Sequence, residues 1–360
     1  MLKLNTYIFS LFIFPIIVLS QSVTTKVIDS GNERPISEIQ LFSESGSQIG
    51  FTDENGIFTF DLSEAKKNRI NNITFYHRSY ASQQYSIDKI PTIVSLDKVH
   101  EIEPVILSGN KKGDYFVLHG YFRSWKLVNN ELVKYNDGLI SYYIPYSSKK
   151  NIETNIVSYR TLKKDNFKDK VKGIISLGDS YLYYKIPKTD RANVYENNKY
   201  FKLEKLNDST SILYSKNKND VFIKRGKILF DKDNQIKEIQ KKLSFEKDEA
   251  FKVLLWKATG QFYNLEKWEG KGSSRHVSYV FDSQKSLVKD NIEETINEIF
   301  IENVDFNNVT IPKKINTKVN KDKSYYDTTF WYEKIGDHAL PYNIQNQIKN
   351  LKLAPNSFKK

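Results

Sequence analysis

A chain of 360 residues with no cysteine can hold no disulfide, thiolate metal site or cysteine nucleophile. Its formal net charge of +12 comes from 55 Lys and Arg against 43 Asp and Glu. The lysines are scattered in pairs such as Lys111-Lys112, Lys149-Lys150 and Lys163-Lys164, with no dense Arg-rich helix, so the excess reads as a solvated surface and excludes an obvious nucleic-acid footprint.

The chain opens with Lys3, an apolar run over residues 7–19, and then Ser20, Gln21 and Ser22, the pattern of a signal peptide over residues 1–20. The run is interrupted by Pro15 and is shorter than the roughly 20 residues a membrane-spanning helix needs. Val18 and Ser20 precede a cleavage point before Gln21. No later stretch approaches membrane length, so the expectation is an exported chain without a transmembrane helix once the leader is gone. An exported chain lacking cysteine reads as bacterial and cannot carry a lipidated cysteine. The length remaining suits two domains, and 23 Tyr and 22 Phe favour strands over helices.

Residues 21–107 read as short strands separated by turn chemistry. Val23, Thr25 and Val27 alternate before Asp29-Ser30-Gly31-Asn32, and Ile39 and Leu41 alternate before Ser43-Glu44-Ser45-Gly46-Ser47. Asp53-Glu54-Asn55-Gly56 is the strongest turn signal, flanked by Phe51-Thr52 and Ile57-Phe58-Thr59-Phe60 as in a hairpin. Further strands are expected at 73–76, 85–87, 92–96 and 105–107.

The series Val27-Ile28-Asp29, Arg34-Pro35-Ile36, Ile39-Gln40-Leu41-Phe42 and Gly50-Phe51-Thr52-Asp53-Glu54-Asn55-Gly56-Ile57-Phe58 resembles the carboxypeptidase-regulatory-like domain. Ile73-Thr74-Phe75, Ser79-Tyr80, Val94-Ser95-Leu96 and 102–107 follow in that family's order. The resemblance implies a Greek-key β-sandwich of transthyretin (prealbumin) type. It also implies a module without peptidase activity, of the kind found at the N-terminus of exported Bacteroidetes proteins, TonB-dependent receptors among them. The chain departs from the family at Thr24 and Thr25, where a glycine is common, and at Ser79, which takes the place of a glycine.

Residues 108–114 read as a linker, with Gly109, Lys111-Lys112 and Gly113. Residues 115–360 read as a larger antiparallel β-rich domain with few helices. Asn129-Asn130 and Asp231-Lys232-Asp233-Asn234 are turns between strand candidates, others being 181–186, 200–203, 211–214, 221–223 and 226–230. Helical spacing occurs at Phe251, Leu254 and Leu255, and at Ile344, Ile348 and Leu351 behind Pro341, where a C-terminal helix should pack on the sheet. The fold class is therefore mainly β.

The chemistry-bearing residues form no recognised motif. His77, His100, His119, His276 and His338 include no local ligand pair. Asp231, Asp233 and Glu238 lack the glycine and spacing of a calcium loop and read as a turn. Glu101 with Glu103, and Glu293 with Glu294, would serve as acid and base only with a partner opposite. Tyr142-Tyr143, residues 181–184, Tyr325-Tyr326 and Phe330-Trp331-Tyr332 suit sugar stacking, but alternate as packing residues do. The sequence thus assigns no catalytic, cofactor-binding or metal residue, and no cofactor.

The function these observations favour is an exported, non-catalytic envelope protein of the periplasm, outer membrane or cell surface. It would bind or scaffold an envelope protein, peptide or glycan, and no nucleic acid. Two alternatives stand beside it. One is a hydrolase whose site in the C-terminal domain gathers His276 or His338 with carboxylates. The other is a small outer-membrane β-barrel formed after Asp114.

Overall fold

The computed structural model describes residues 22–99, 105–107, 113–147, 149–165, 167, 185–190, 192–196, 198–217, 219–245, 251–253, 256–288, 291–306 and 309–358. Seven short strands come first: β1 (Ser22–Asp29), β2 (Gln40–Ser43), β3 (Gln48–Phe51), β4 (Ile57–Asp61), β5 (Asn72–His77), β6 (Tyr80–Ser86) and β7 (Ile93–Leu96). They form two sheets, β4-β1-β7 and β3-β2-β5-β6. Val27, Phe58 and Val94 of the first meet Leu41, Ile73 and Phe75 of the second in one core, which makes a β-sandwich.

Turn chemistry sets the crossings. Asp29 Oδ1 accepts the N–H groups of Gly31 and Asn32, and Asp53 Oδ1 accepts those of Asn55 and Ile57. Gly56 sits at φ +72°, where a Cβ would also lie 2.5 Å from the Val27 carbonyl oxygen. The Asp53–Gly56 turn does not close a hairpin, as its flanks suggested. β3 and β4 enter opposite sheets, because Phe58 packs across the sandwich onto the bare backbone of Gly50.

The large sheet begins with β8 (Val105–Leu107), β9 (Tyr115–Val128), β10 (Glu131–Pro145) and β11 (Glu153–Lys163). After the short helix α2 (Ala192–Glu196) come β12 (Phe201–Asn207), β13 (Thr210–Lys216), β14 (Phe222–Phe230), β15 (Ile236–Phe245), β16 (Phe251–Val253), β17 (Trp256–Glu269), β18 (His276–Val288) and β19 (Asn291–Asp305). Two helices, α3 (Trp331–Asp337) and α4 (Tyr342–Ile348), and β20 (Lys352–Leu353) follow; α1 (Leu62–Lys67) belongs to the sandwich. Thirteen strands share this sheet, eleven of them along the path β12-β13-β14-β15-β17-β18-β19-β9-β10-β11-β20. It is two antiparallel meanders welded by the pairing of β19 with β9. Asn129 and Asn130, both with positive φ, make the two-residue β9–β10 turn that the sequence signalled.

Three expectations change. Residues 105–107, read as the end of the sandwich, run parallel to β19 in the large sheet, where Val105 pairs with Asn303. Phe251, read as helical, lies in β16 and pairs with Ala258, because a nearby partner strand outweighs a bare three-residue spacing. The path of the sheet is open, and among the described residues no pairing joins β12 to β20, so these strands do not close a barrel. No helix among the described residues is long and apolar enough to cross a membrane. Residues 1–20, Lys111-Lys112 and residues 181–184 of the strand candidate at 181–186 lie outside the described residues, and Lys185 and Ile186 are not in a strand.

The sandwich lies on the large sheet as part of three stacked layers. Its second sheet is covered on both faces, since Leu41 and Phe75 point into the sandwich while Phe42 and Tyr76 join Trp125, Tyr279 and Phe300 of the large sheet. Phe330, Trp331 and Ile344 of the C-terminal segment complete that second core, with Ile344 fully buried as expected of the helix after Pro341. The opposite face of the large sheet carries a third core around Phe116, Phe122, Ile140 and Ile299.

Gly56→Ala should destabilise the fold by about 1–2 kcal/mol from the left-handed backbone alone, with the Val27 contact adding to it. A urea or thermal melt measures this, and an unchanged midpoint would contradict the turn geometry.

Candidate functional site

Strand register lines up four charges on the covered face of the large sheet. Glu298 of β19 is opposite Arg123 of β9, Arg123 is opposite Asp137 of β10, and Asp137 is opposite Arg160 of β11. All are buried. Arg123 Nε lies 2.5 Å from Glu298 Oε2, and Arg160 binds Asp137 through Nε (2.7 Å) and Nη2 (2.8 Å). The remaining capacity is used as well. Arg123 donates to Tyr76 Oη (2.6 Å) and to the carbonyls of His338 and Ala339, Tyr279 donates to Glu298 (2.8 Å), and Tyr121 and Tyr135 donate to Asp137. Burial works against the charged Arg123 guanidinium, but Glu298 and the hydroxyls of Tyr76, Tyr121 and Tyr135 together outweigh it and keep the group ionised. With both oxygens of each carboxylate bonded, this ladder is a structural clamp.

A cleft opens beside it, along the seam between the sandwich and the large sheet. Its wall is β3, an edge strand that pairs with β2 alone among the described residues. Thr52 N donates to Ile39 O on the β2 side, so alternation turns the N–H and C=O of Phe51 to the free side, and a register shift at Ile49 leaves Gln48 N facing the large sheet. The floor comes from two cross-strand rows, Lys242–Tyr263–Ser283 and Gln261–Lys285–Glu294. The Phe51 ring stacks on Tyr263 at 3.8 Å. Glu294 seals one end by accepting from Ser47 Oγ (2.5 Å) and Gln48 N (2.7 Å), and Lys285 donates to Ser47 Oγ (3.0 Å). Burial raises the Glu294 carboxyl, which Lys285 partly offsets. The cleft holds about 40 Å³. Lys242, exposed at its rim, makes no ion pair among the described residues. The arrangement offers a strand edge, an aromatic floor and a cation to an extended chain.

A pair of carboxyl groups lies farther along the seam. Glu38 of the sandwich and Glu238 of β15 are both buried, with Lys227 3.3 Å from Glu38, Lys267 3.8 Å from Glu238 and Gln240 Nε2 donating to Glu238 (2.8 Å). Burial first, and the neighbouring Glu38 second, push Glu238 up to about 8. Tyr263 faces the same two carboxyls, and burial raises its hydroxyl. On the other face of the sheet burial pushes Asp282 up to about 6.

The residues singled out from sequence do not converge. His276 packs on Phe116 at 6.1 Å, on the face away from the sandwich, whereas His338 stacks on Phe300 at 4.1 Å on the covered face and bonds Glu302 (2.9 Å). His119 contacts Ser141 (3.0 Å), and His77 accepts from Ser79 N (3.1 Å). Asp231 accepts from Asp233 N and Gln235 N in a turn, Asp233 pairs with Lys271, and Glu238 is elsewhere, in the seam. Among the described residues no group of three His, Asp or Glu is placed to hold a metal. Glu293 pairs with Lys126, while Glu294 points to the seam. Tyr142, Phe330 and Trp331 are core residues, Tyr325 packs on Tyr159, and Tyr332 is exposed. His100, Glu101, Glu103 and residues 181–184 lie outside the described residues.

Removing one charge from the ladder by Arg123→Met should cost about 3–5 kcal/mol, because it leaves Glu298 buried and unpaired. A double-mutant cycle with Glu298→Leu should show that the two changes cost less together than summed; simple additivity would contradict the ladder. Glu238 gives a pH prediction. An unfolded glutamate releases its proton near 4.5, its ordinary value, whereas the folded one keeps it to about 8. Stability contributed by this group is therefore complete below about pH 4.5 and is lost as pH rises toward 8. Denaturation midpoints measured across that window should fall, and Glu238→Gln should flatten the part of the slope above about pH 6, the limit of the Asp282 contribution.

No protein-family model and no curated protein matches the chain. Among solved structures, lipovitellin, from work on its lipid–protein interactions, aligns over 57% of this chain with 6% identity and a TM-score of 0.30. This chain covers about a quarter, 27%, of that protein's length. A Ca2+-stabilised adhesin that helps an Antarctic bacterium bind ice aligns over 79% of this chain and 98% of its own, with 5% identity and a TM-score of 0.10. At such scores neither alignment carries an argument about fold or function.

Proposed function

We propose that this chain is an exported, non-catalytic protein of a bacterial envelope that binds an extended segment of another envelope protein in the cleft along its seam. The observation that carries the reading is the edge of β3, which among the described residues pairs with β2 alone, above a floor that presents the Phe51–Tyr263 stack, Lys285 and a Lys242 without an ion pair among those residues. A bound peptide would pair with the edge of β3 through the outward backbone groups of Phe51, and would offer an acidic side chain to Lys242. Specificity would come from that charge and from an apolar residue laid on the aromatic floor.

The leader over residues 1–20 and the resemblance of residues 21–107 to an envelope module support the location. Binding is also favoured by how the interior charges are used: Arg123, Asp137, Arg160, Glu294 and Glu298 are all bonded within the protein.

Two measurements test the reading. N-terminal mass spectrometry of the protein recovered from envelope fractions should begin at Gln21. On a peptide array the wild type should select extended, acidic, proline-free sequences, and Lys242→Glu should lose at least about tenfold in affinity for them, about 1.4 kcal/mol or more, with an unchanged melting temperature. An array that stays blank, or selection that Lys242→Glu leaves intact, would overturn the site.

A further inference from the structure

The large sheet ends at β12, and among the described residues no strand pairs with its outer edge. The carbonyl of Tyr200 accepts from Lys216 N (2.9 Å), and Lys202 and Glu204 lie opposite Tyr214 and Ile212 of β13. By the alternation of an antiparallel ladder, the N–H and C=O of Leu203 therefore point away from β13, to the free side. The helix α2 meets the strand at its start, where Tyr195 packs edge-on against Phe201.

The residues along this edge are self-complementary. We propose that β12 is a dimer interface, at which two copies of the chain pair antiparallel about a twofold axis at Leu203 and join their large sheets into one. In that register Lys202 of each copy lies opposite Glu204 of the other, and the regular pairing runs from Phe201 to Lys205, short of the register shift at Leu206. Tyr200 and Leu206 are 55% and 57% exposed and belong to none of the three cores. Within one chain Lys202 and Glu204 already contact each other at 3.1 Å, so the pairing exchanges an exposed contact for cross-strand ones. Lys205 is held by Asp208 (2.8 Å). Edges are protected by proline, lysines or bulges; the bulge of β12 sits at Leu206, at its end, while Lys202 and Glu204 flank Leu203, so that a second copy meets opposite charge at both positions.

Charge reversal tests this directly. Sedimentation of the purified wild-type protein should give twice the chain mass. Lys202→Glu alone places two glutamates opposite two glutamates, and Glu204→Lys alone places lysines opposite lysines, so each variant should sediment as a monomer. Mixing the two variants should restore a dimer, and so should the chain that carries both changes, which also shows that the single variants lost pairing and not their fold. A wild type that stays monomeric at its highest soluble concentration would overturn the proposal, as would a dimer that survives both single reversals, or single variants that fail to recombine.

Discussion

Four buried charges in a line, Glu298, Arg123, Asp137 and Arg160, govern how this protein is put together. Taking them out of water is costly, and the cost is offset only if each strand stands in the register that places acid beside base. A slip of one residue in β9 would carry Arg123 to the opposite face, among Phe122, Ile140 and Ile299, where no partner waits. The ladder thus selects one alignment of β19, β9, β10 and β11 from several that hydrophobic pattern alone would accept. It reaches outward as well. Arg123 holds the sandwich through Tyr76 and the C-terminal segment through the carbonyls of His338 and Ala339, and the Arg160 guanidinium lies 4.8 Å over the Trp331 ring.

The same register builds the seam. Once β17, β18 and β19 are fixed, Tyr263, Lys285 and Glu294 fall on the covered face beneath β3, and Glu238 falls beneath Glu38. The seam mixes aromatic contact with buried charge, so its strength depends on proton uptake as well as on area. Its walls are rigid because the middle layer is packed on both sides: Phe42 and Tyr76 cannot shift without disturbing the large sheet, nor Leu41 and Phe75 without disturbing the sandwich.

Period-two alternation and turn residues made the sandwich strands, the Asn129-Asn130 turn and the helix behind Pro341 legible from sequence, because each is a local event. Partner choice was not legible. Nothing in Gly50-Phe51-Thr52 and Ile57-Phe58 says that the two strands part into different sheets, since that depends on Phe58 finding Gly50 across the core. Val105–Leu107 read as one more strand of the sandwich, and only β19, some two hundred residues on, decides otherwise. The ladder did leave a trace: Arg123 between Tyr121-Phe122 and Trp125, and Asp137 alternating with Tyr135 and Leu139, are charges where alternation calls for core. The seam left less, because Glu294 and Lys242 look like ordinary surface residues until the sandwich is laid over one and beside the other.

Several of the contacts that hold the sandwich down come from the far end of the chain. Ser47 bonds Glu294, and the carbonyl of Ser43 accepts from Asn343, three hundred residues later. During synthesis the sandwich can close its own core long before its neighbours exist, and it then presents Phe42, Tyr76 and the unpaired Glu38 to solvent. Such a half-built molecule is adhesive, and contacts of this sequence separation form slowly. The protein therefore passes through a waiting period, set by the time needed to deliver the roughly 250 residues between Leu96 and Asn343, in which protection of one small aromatic patch decides between completion and aggregation.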